Sequence, residues 1–286
     1  MNSTIKGLLY IAYILSVATF FLFYLFPADV VKRKLSLAVA EIHPELNLVL
    51  DKITPTFPPG LRFQSVEFYH HQALLLSAEQ IKIAPVLLSL LNSPVKFAFK
   101  GRASGGAIEG WGEFDAKQSG SKVTIGARFA GIQIKEISVI HNLTDFKIAG
   151  LVDGKIKYDI GKISGRNLSA ELILTDCTIE LLTSVFNLDN ISFKKIEADV
   201  TLNNHKLQLK QCTFKGNQTD GTMSGFISLK NPLNESVLNL SGSITPQPLL
   251  LENLSKVFPV NSKKMEHSAI HITIGGTFDK PDVFWQ

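Results

Sequence analysis

Apolar and polar residues alternate with a period of two along most of this chain beyond its first forty-odd residues, and that alternation is the tightest limit on its fold. One run is Val123, Ile125, Ala127 and Phe129; others are Phe97 with Phe99, Ile132 with Ile134, and Ile156, Tyr158 and Ile160. The C-terminal half continues with Leu172 and Leu174, then Ile196, Ala198, Val200 and Leu202, then Leu207 and Leu209, then Ile270, Ile272 and Ile274. Residues two apart share a face of an extended strand, so each run predicts a strand with one apolar side. Asp153-Gly154, Asn203-Asn204, Asp220-Gly221 and Asn231-Pro232 read as turns between them. Together they predict an antiparallel meander. Helical interruptions are short: residues 85–91 (PVLLSLL), 180–186, and 248–258, where Pro248 suits a first helical turn. The unit of strand, Leu-rich helix, strand and glycine-containing strand recurs loosely.

A sheet with one apolar face must cover it, and the chain holds too few long amphipathic helices to do so. The sheet therefore covers itself, as a sandwich, a closed barrel, or a long sheet folded lengthwise into a half-pipe. The expected class is mainly β: an N-terminal transmembrane helix, then an elongated, largely antiparallel curled sheet, half-pipe or open barrel, with a few short helices. Phe97, Phe99, Ile125 and Phe129 are the candidate lining of an apolar trough; the plainer reading makes them ordinary core.

Residues 7–26 (GLLYIAYILSVATFFLFYLF) carry no charge. About 20 residues at 1.5 Å each span a hydrocarbon core of roughly 30 Å. Tyr10, Tyr13 and Tyr24 lie towards the ends of this run, and Lys6 and Lys32-Arg33-Lys34 bracket it. The run is too long for a cleaved signal, and Phe26-Pro27-Ala28 offers no small-x-small cleavage site, so we read an uncleaved anchor. Basic residues just after the run favour a cytoplasmic body, but that rule weakens before a long domain. A short leader with a long following body is the layout of a signal anchor whose body is exported. Val31, Leu35, Ala38 and Ile42 then predict an amphipathic helix, with Asp29 to cap it and Pro44 to stop it. The expected organisation is a cytoplasmic tip (1–6), a transmembrane helix (7–26), an amphipathic juxtamembrane helix (27–44) and an exported β-rich domain (45–286).

The 286 residues are 45% hydrophobic and 19% charged, which excludes a disordered polar chain. A net charge of +4, without a dense basic stripe interleaved with aromatics, argues against nucleic acid as a partner. His267 and His271 have the i, i+4 spacing of a helical zinc pair, but SAIHITI (268–274) reads as a strand, where such residues stand about 13 Å apart. His70-His71 read as solvated strand residues. The glycines of GRASGGAIEGWG (101–112) fit no phosphate-loop spacing and read as a kinked or bulged strand. No serine sits in a nucleophile elbow and no paired carboxylates take assignable roles, so no catalytic residue, metal ligand or cofactor is expected. Cys177 and Cys212 lie in related contexts. A disulfide joins them if their strands neighbour in an oxidising compartment; otherwise they are two free, half-buried thiols. The N-x-[ST] triplets at Asn142 and Asn167 matter only in a glycosylating pathway.

Three stretches carry a family likeness: FPADVVKRKL after the membrane run, PPGLRFQSVEF (58–68) leading into AEQIKIAPVLLSLLNSPVKFAFKGRASGGAIEG, and the terminal GGTFDKPDVFWQ (275–286). The chain resembles the type II secretion system protein N family, in its form with one N-terminal membrane helix and an exported β-rich body. The strand, Leu-helix, Gly-Gly order and the G-T-x-D-K-P-x-V element are also similar to the AsmA-like envelope proteins. The first resemblance implies a non-enzymatic, bitopic inner-membrane component of a protein-export machine. Its body is periplasmic, and its partners are the inner membrane, the inner-membrane platform and the outer-membrane secretin. The second implies an elongated folded sheet whose apolar trough holds phospholipid or other acyl chains. Neither carries over a catalytic residue.

Overall fold

The computed structural model describes residues 3–42, 45–57, 59–70, 73–91, 93–115, 122–137, 147–161, 165–185, 188–248, 250–251 and 269–285. Two helices, α1 (Ser3–Tyr24) and α2 (Ala28–Ile42), precede the strands. The strands are β1 (Leu46–Leu50), β2 (Ile53–Thr56), β3 (Gly60–His70), β4 (Ala73–Pro85), β5 (Val95–Ala103), β6 (Gly106–Asp115), β7 (Lys122–Gln133) and β8 (Lys147–Gly161). They continue with β9 (Gly165–Val185), β10 (Leu188–Asn203), β11 (Lys206–Gly216), β12 (Thr219–Ser228), β13 (Val237–Pro246), β14 (Ile270–Gly276) and β15 (Pro281–Trp285).

All fifteen strands lie in one antiparallel sheet, each paired with its successor, except that β1 and β2 both pair β3 and together form one broken edge strand. The sheet is open, with that strand at one edge and β15 at the other. It is neither a sandwich nor a closed barrel.

Register explains why the alternation is so regular. Phe99 pairs Gly110, Gly110 pairs Ala127, Ala127 pairs Ile156 and Ile156 pairs Ala170, so an apolar row crosses five strands on one face. The neighbouring row, Lys100, Glu109, Arg128, Lys155 and Glu171, crosses them on the opposite face. The period-two pattern of each strand is thus locked to that of the next. Bulges punctuate the ladder. Gln80 in β4 and Asp176 in β9 take positive φ at register shifts, as does Gly131 in β7, whose N–H donates to Asp153 Oδ1 at 2.7 Å. Such bulges bend a strand and increase its twist.

Several local expectations change. Asp153-Gly154 and Asp220-Gly221 are not turns: they lie inside β8 and β12. Each glycine sits under a ring from the next strand, Phe129 over Gly154 and Phe214 over Gly221. Each aspartate accepts a backbone N–H where the ladder bends, Asp220 from Gly216 at 2.9 Å. The segment from Glu180 is not helical, because β9 runs on to Val185. Leu87–Leu91 does form a helical turn, of the tighter 3-10 kind. Pro248, Leu250 and Leu251 are helical, while 252–258 lie outside the described residues. Asn203-Asn204 does close a hairpin, with Asn204 at φ 53°.

The core sits under α2. Ile53, Phe63, Ala78, Ile81, Ala103 and Ile132 form a buried cluster against which Phe26, Ala28, Val31 and Leu35 pack. Ser36 Oγ donates to the Leu48 carbonyl at 2.9 Å, tying the helix to the edge strand. The helix is phased on Val31, Leu35 and Val39, not on Ala38, which is exposed. Helix α2 therefore packs on the β body. Helix α1 covers most of residues 7–26, with Leu8, Tyr10, Ile14 and Phe20 more than 60% exposed. Over the described residues no helix is long and apolar enough to cross a membrane.

Candidate functional site

The four residues predicted to line a trough do share one face. Phe97 and Phe99 project from β5 and Ile125 and Phe129 from β7, joined in register through Gly112, Gly110 and Ile108 of β6. The rings of Phe97, Phe99 and Phe129 are laid across the sheet rather than raised above it. Phe97 covers Gly112 and Phe99 covers Gly110, each glycine being the ring's direct cross-strand partner. Phe129 over Gly154 and Phe214 over Gly221 repeat the device, and Trp111 over Gly126 repeats it on the opposite face. A methyl group at Gly110, Gly112, Gly126 or Gly221 would overlap the ring, and one at Gly154 would press on it. Cross-strand aromatic–glycine pairs cover the backbone that the glycine leaves bare. They also let one layer of side chains shield its own sheet, and the rings at 97, 99 and 129 stay half-buried. Gly110 and Gly112 of GRASGGAIEGWG are thus ring seats, Gly105 and Gly106 belong to a hairpin closed by Ser104 and Gly105 at φ 44° and 78°, and Gly101 faces Ile81 opposite the bulge at Gln80.

Cys177 and Cys212 share the apolar face but not a neighbourhood. Cys177 pairs Phe193, Cys212 pairs Ala198, and β10 runs between their strands. Two strand spacings, about 9.6 Å, already exceed the roughly 7 Å limit between bridged Cα atoms. The neighbouring strands that a disulfide needs are absent, and both thiols are free. Burial pushes both thiols up from the ordinary cysteine range. His271 is an exposed residue of β14 and His267 lies outside the described residues. Among the described residues no group of three or more His, Cys, Asp or Glu side chains is placed to hold a metal.

The polar face carries the feature that alternation alone hides. A groove of about 1110 Å³ runs across β3 to β11, lined by seven Lys or Arg residues against three carboxylates. Many of the charges pair: Lys155 with Glu171 at 2.8 Å, Arg128 with Glu109 at 3.8 Å and Lys210 with Asp199 at 3.7 Å. Arg62, Lys82 and Lys100 stand directly opposite one another on β3, β4 and β5, and Glu109 of β6 stands opposite Lys100 on its other side. Like charges in direct register repel. Beside the groove, Asp159 accepts a hydrogen bond from Thr124 Oγ1 at 2.7 Å and pairs with Lys157 at 3.3 Å. Burial pulls its carboxyl up, but the bonds from Thr124 and Lys157 and the charges of Lys157 and Lys122 outweigh that and hold it below the usual range.

The fold and these surfaces define a single-sheet β protein with a helical leader, one apolar face and one grooved, charged face. Compared with protein-family models, curated proteins and solved structures, the chain finds no match. The ring seats and the cation row were missed from sequence because both arise from cross-strand register, which no single strand encodes. The signal available was the matched two-residue spacing of Phe97 and Phe99 and of Gly110 and Gly112 on consecutive runs.

Proposed function

We propose that this chain is a non-enzymatic, membrane-anchored component of a type II protein secretion system, with a periplasmic body acting as a scaffold or interaction module. The resemblance in sequence supplies the class. The observation that carries the role is the open sheet. Among the described residues its last strand, β15, pairs only β14 and exposes Val283 and Phe284, offering an edge to a partner strand. Helix α1 is the anchor in this reading. It has 22 residues and so a length of about 33 Å. Lys6 is its one charged residue, and Leu15 and Leu22, whose side chains are not described, continue the uncharged run in the sequence. The N-terminus then faces the cytoplasm.

A photo-crosslinker at Val283 in secreting cells tests the role. Adducts to the inner-membrane platform or the secretin are expected; adducts to neither count against it. A second reading, an envelope protein that holds lipid in the manner of the AsmA-like group, is favoured by one observation: the apolar face continues from β5 to β14, past the strands that α2 covers. Stoichiometric phospholipid on the purified protein would favour this reading.

A further inference from the structure

The turn between β4 and β5 is built inside out. Ser89 is its buried residue, its hydroxyl donating to the Val86 carbonyl at 2.6 Å and accepting from the Lys96 N–H at 2.9 Å. Leu87, Leu88, Leu90 and Leu91 point away, Leu88 and Leu91 at 80% and 86% exposure. Phe57, 81% exposed, lies at the same end of the sheet, since Thr56 pairs Gly60 and Leu61 pairs Ile83. Large exposed apolar side chains gathered at one end of a sheet mark a surface that meets another phase or partner.

Where α1 enters the fold says which. Helix α2 ends at Ile42 and β1 begins at Leu46, so helix and edge strand run antiparallel, with Ser36 beside Leu48. The eight residues from Ser36 back to Ala28 rise about 12 Å, which matches three to four strand residues and carries the start of α2 level with Asp51 and Lys52, on the way to Phe57. The α1–α2 junction thus lies towards the end that carries Phe57 and the leucine turn. The cations Arg62, Lys82 and Lys100 cross the sheet some three residues, about 10 Å, in from that end.

We propose that this end of the sheet lies on the bilayer that holds α1. The leucine turn and Phe57 enter the headgroup–acyl boundary, and Arg62, Lys82 and Lys100 meet the phosphates of anionic lipids. The proposal rests on the reading of α1 as an anchor. An interfacial element buries its apolar side chains about 5–10 Å deep, which leaves the cation row at headgroup height. Lipid phosphates would also relieve the repulsion between three cations held in register.

The test uses the full chain with Cys177→Ser and Cys212→Ser, reconstituted into phosphatidylcholine liposomes with or without phosphatidylglycerol. An environment-sensitive fluorophore sits on Leu88→Cys, or on Glu136→Cys at the opposite end as a control. Liposome flotation checks the anchor separately. The expected result is a several-fold emission rise at 88, quenched by nitroxide on the acyl chains and stronger with phosphatidylglycerol, while 136 stays accessible to aqueous iodide. Lys82→Gln is expected to lower the ratio of inserted to aqueous label about fivefold in phosphatidylglycerol, without loss of thermal stability. A chain that floats while its label at 88 remains in water overturns the proposal and spares the anchor. A chain that does not float overturns both.

Discussion

Under α2 the apolar face is sealed by a second layer: Phe63, Ile53 and Ile81 keep 3%, 4% and 8% of their exposure. Beyond that cluster, among the described residues, β5 to β8 present the same face with no helix over it, and Phe97 and Phe99 stay half-buried on their glycine seats, with Phe129 on its own seat at the cluster's edge. The difference teaches that one sheet can be closed in two ways, by a helix docked from outside or by rings folded down onto the backbone. The first gives a core that resists cavities. The second gives a thinner cover whose stability rests on cross-strand pairs.

The sharpest break of this comparison is to remove the helical layer. A chain beginning at residue 45 loses Phe26, Ala28, Val31 and Leu35 from the cluster. It is expected to lose cooperative unfolding in denaturant, whereas one beginning at residue 27 is expected to remain soluble and folded; equal behaviour would put α2 outside the fold. Next in size, Phe63→Ala should cost about 3–5 kcal/mol by denaturant unfolding, because the ring leaves a cavity in a closed core. Phe97→Ala should cost less, about 1–2 kcal/mol, since its ring is half-buried and solvent enters the space it leaves. Gly112→Val should also destabilise alone, but with Phe97→Ala it should cost less than the separate losses added together, a coupling of about 1 kcal/mol. Additive losses would deny the ring seat.

The smallest effect concerns the charged face. Asp159 has a lowered carboxyl pKa, so its contribution is present above the unfolded aspartate range and disappears as pH falls through the lower folded value. Thr124→Val removes one bond that favours the ionised form and should cost about 1 kcal/mol near neutrality. That loss should fade in acid; one that persists at low pH would point to packing instead.

Much of the fold could be read from the sequence, and the reasons are physical. Period-two runs such as 123–129 and 196–202 are strands because one side of each is apolar and every strand imposes its parity on the next. The Leu-rich turn at 87–91 was legible for its helical propensity, but its orientation was not, because Ser89 turns inward through its bonds to Val86 and Lys96. Asp153-Gly154 misled because a glycine beneath an aromatic ring and a glycine in a turn leave the same two letters. The phase of α2 depended on whether Ala38 or Val39 met the sheet, and apolar residues at both positions left the choice to packing. The shared face of Phe97, Phe99, Ile125 and Phe129 follows from strand parity, while the cation row was invisible until β3, β4 and β5 were set side by side.

The central claim is that the apolar face beyond α2 is covered by the chain's own rings. Native mass spectrometry with lipid extraction on residues 27–286, purified gently from cells, tests it most directly. A folded chain at its own mass, free of phospholipid, is the predicted result and leaves protein contacts at the sheet edge as the working surface. Phospholipid retained in whole-number stoichiometry would contradict the claim, because acyl chains would then be completing the cover that the rings are held to provide.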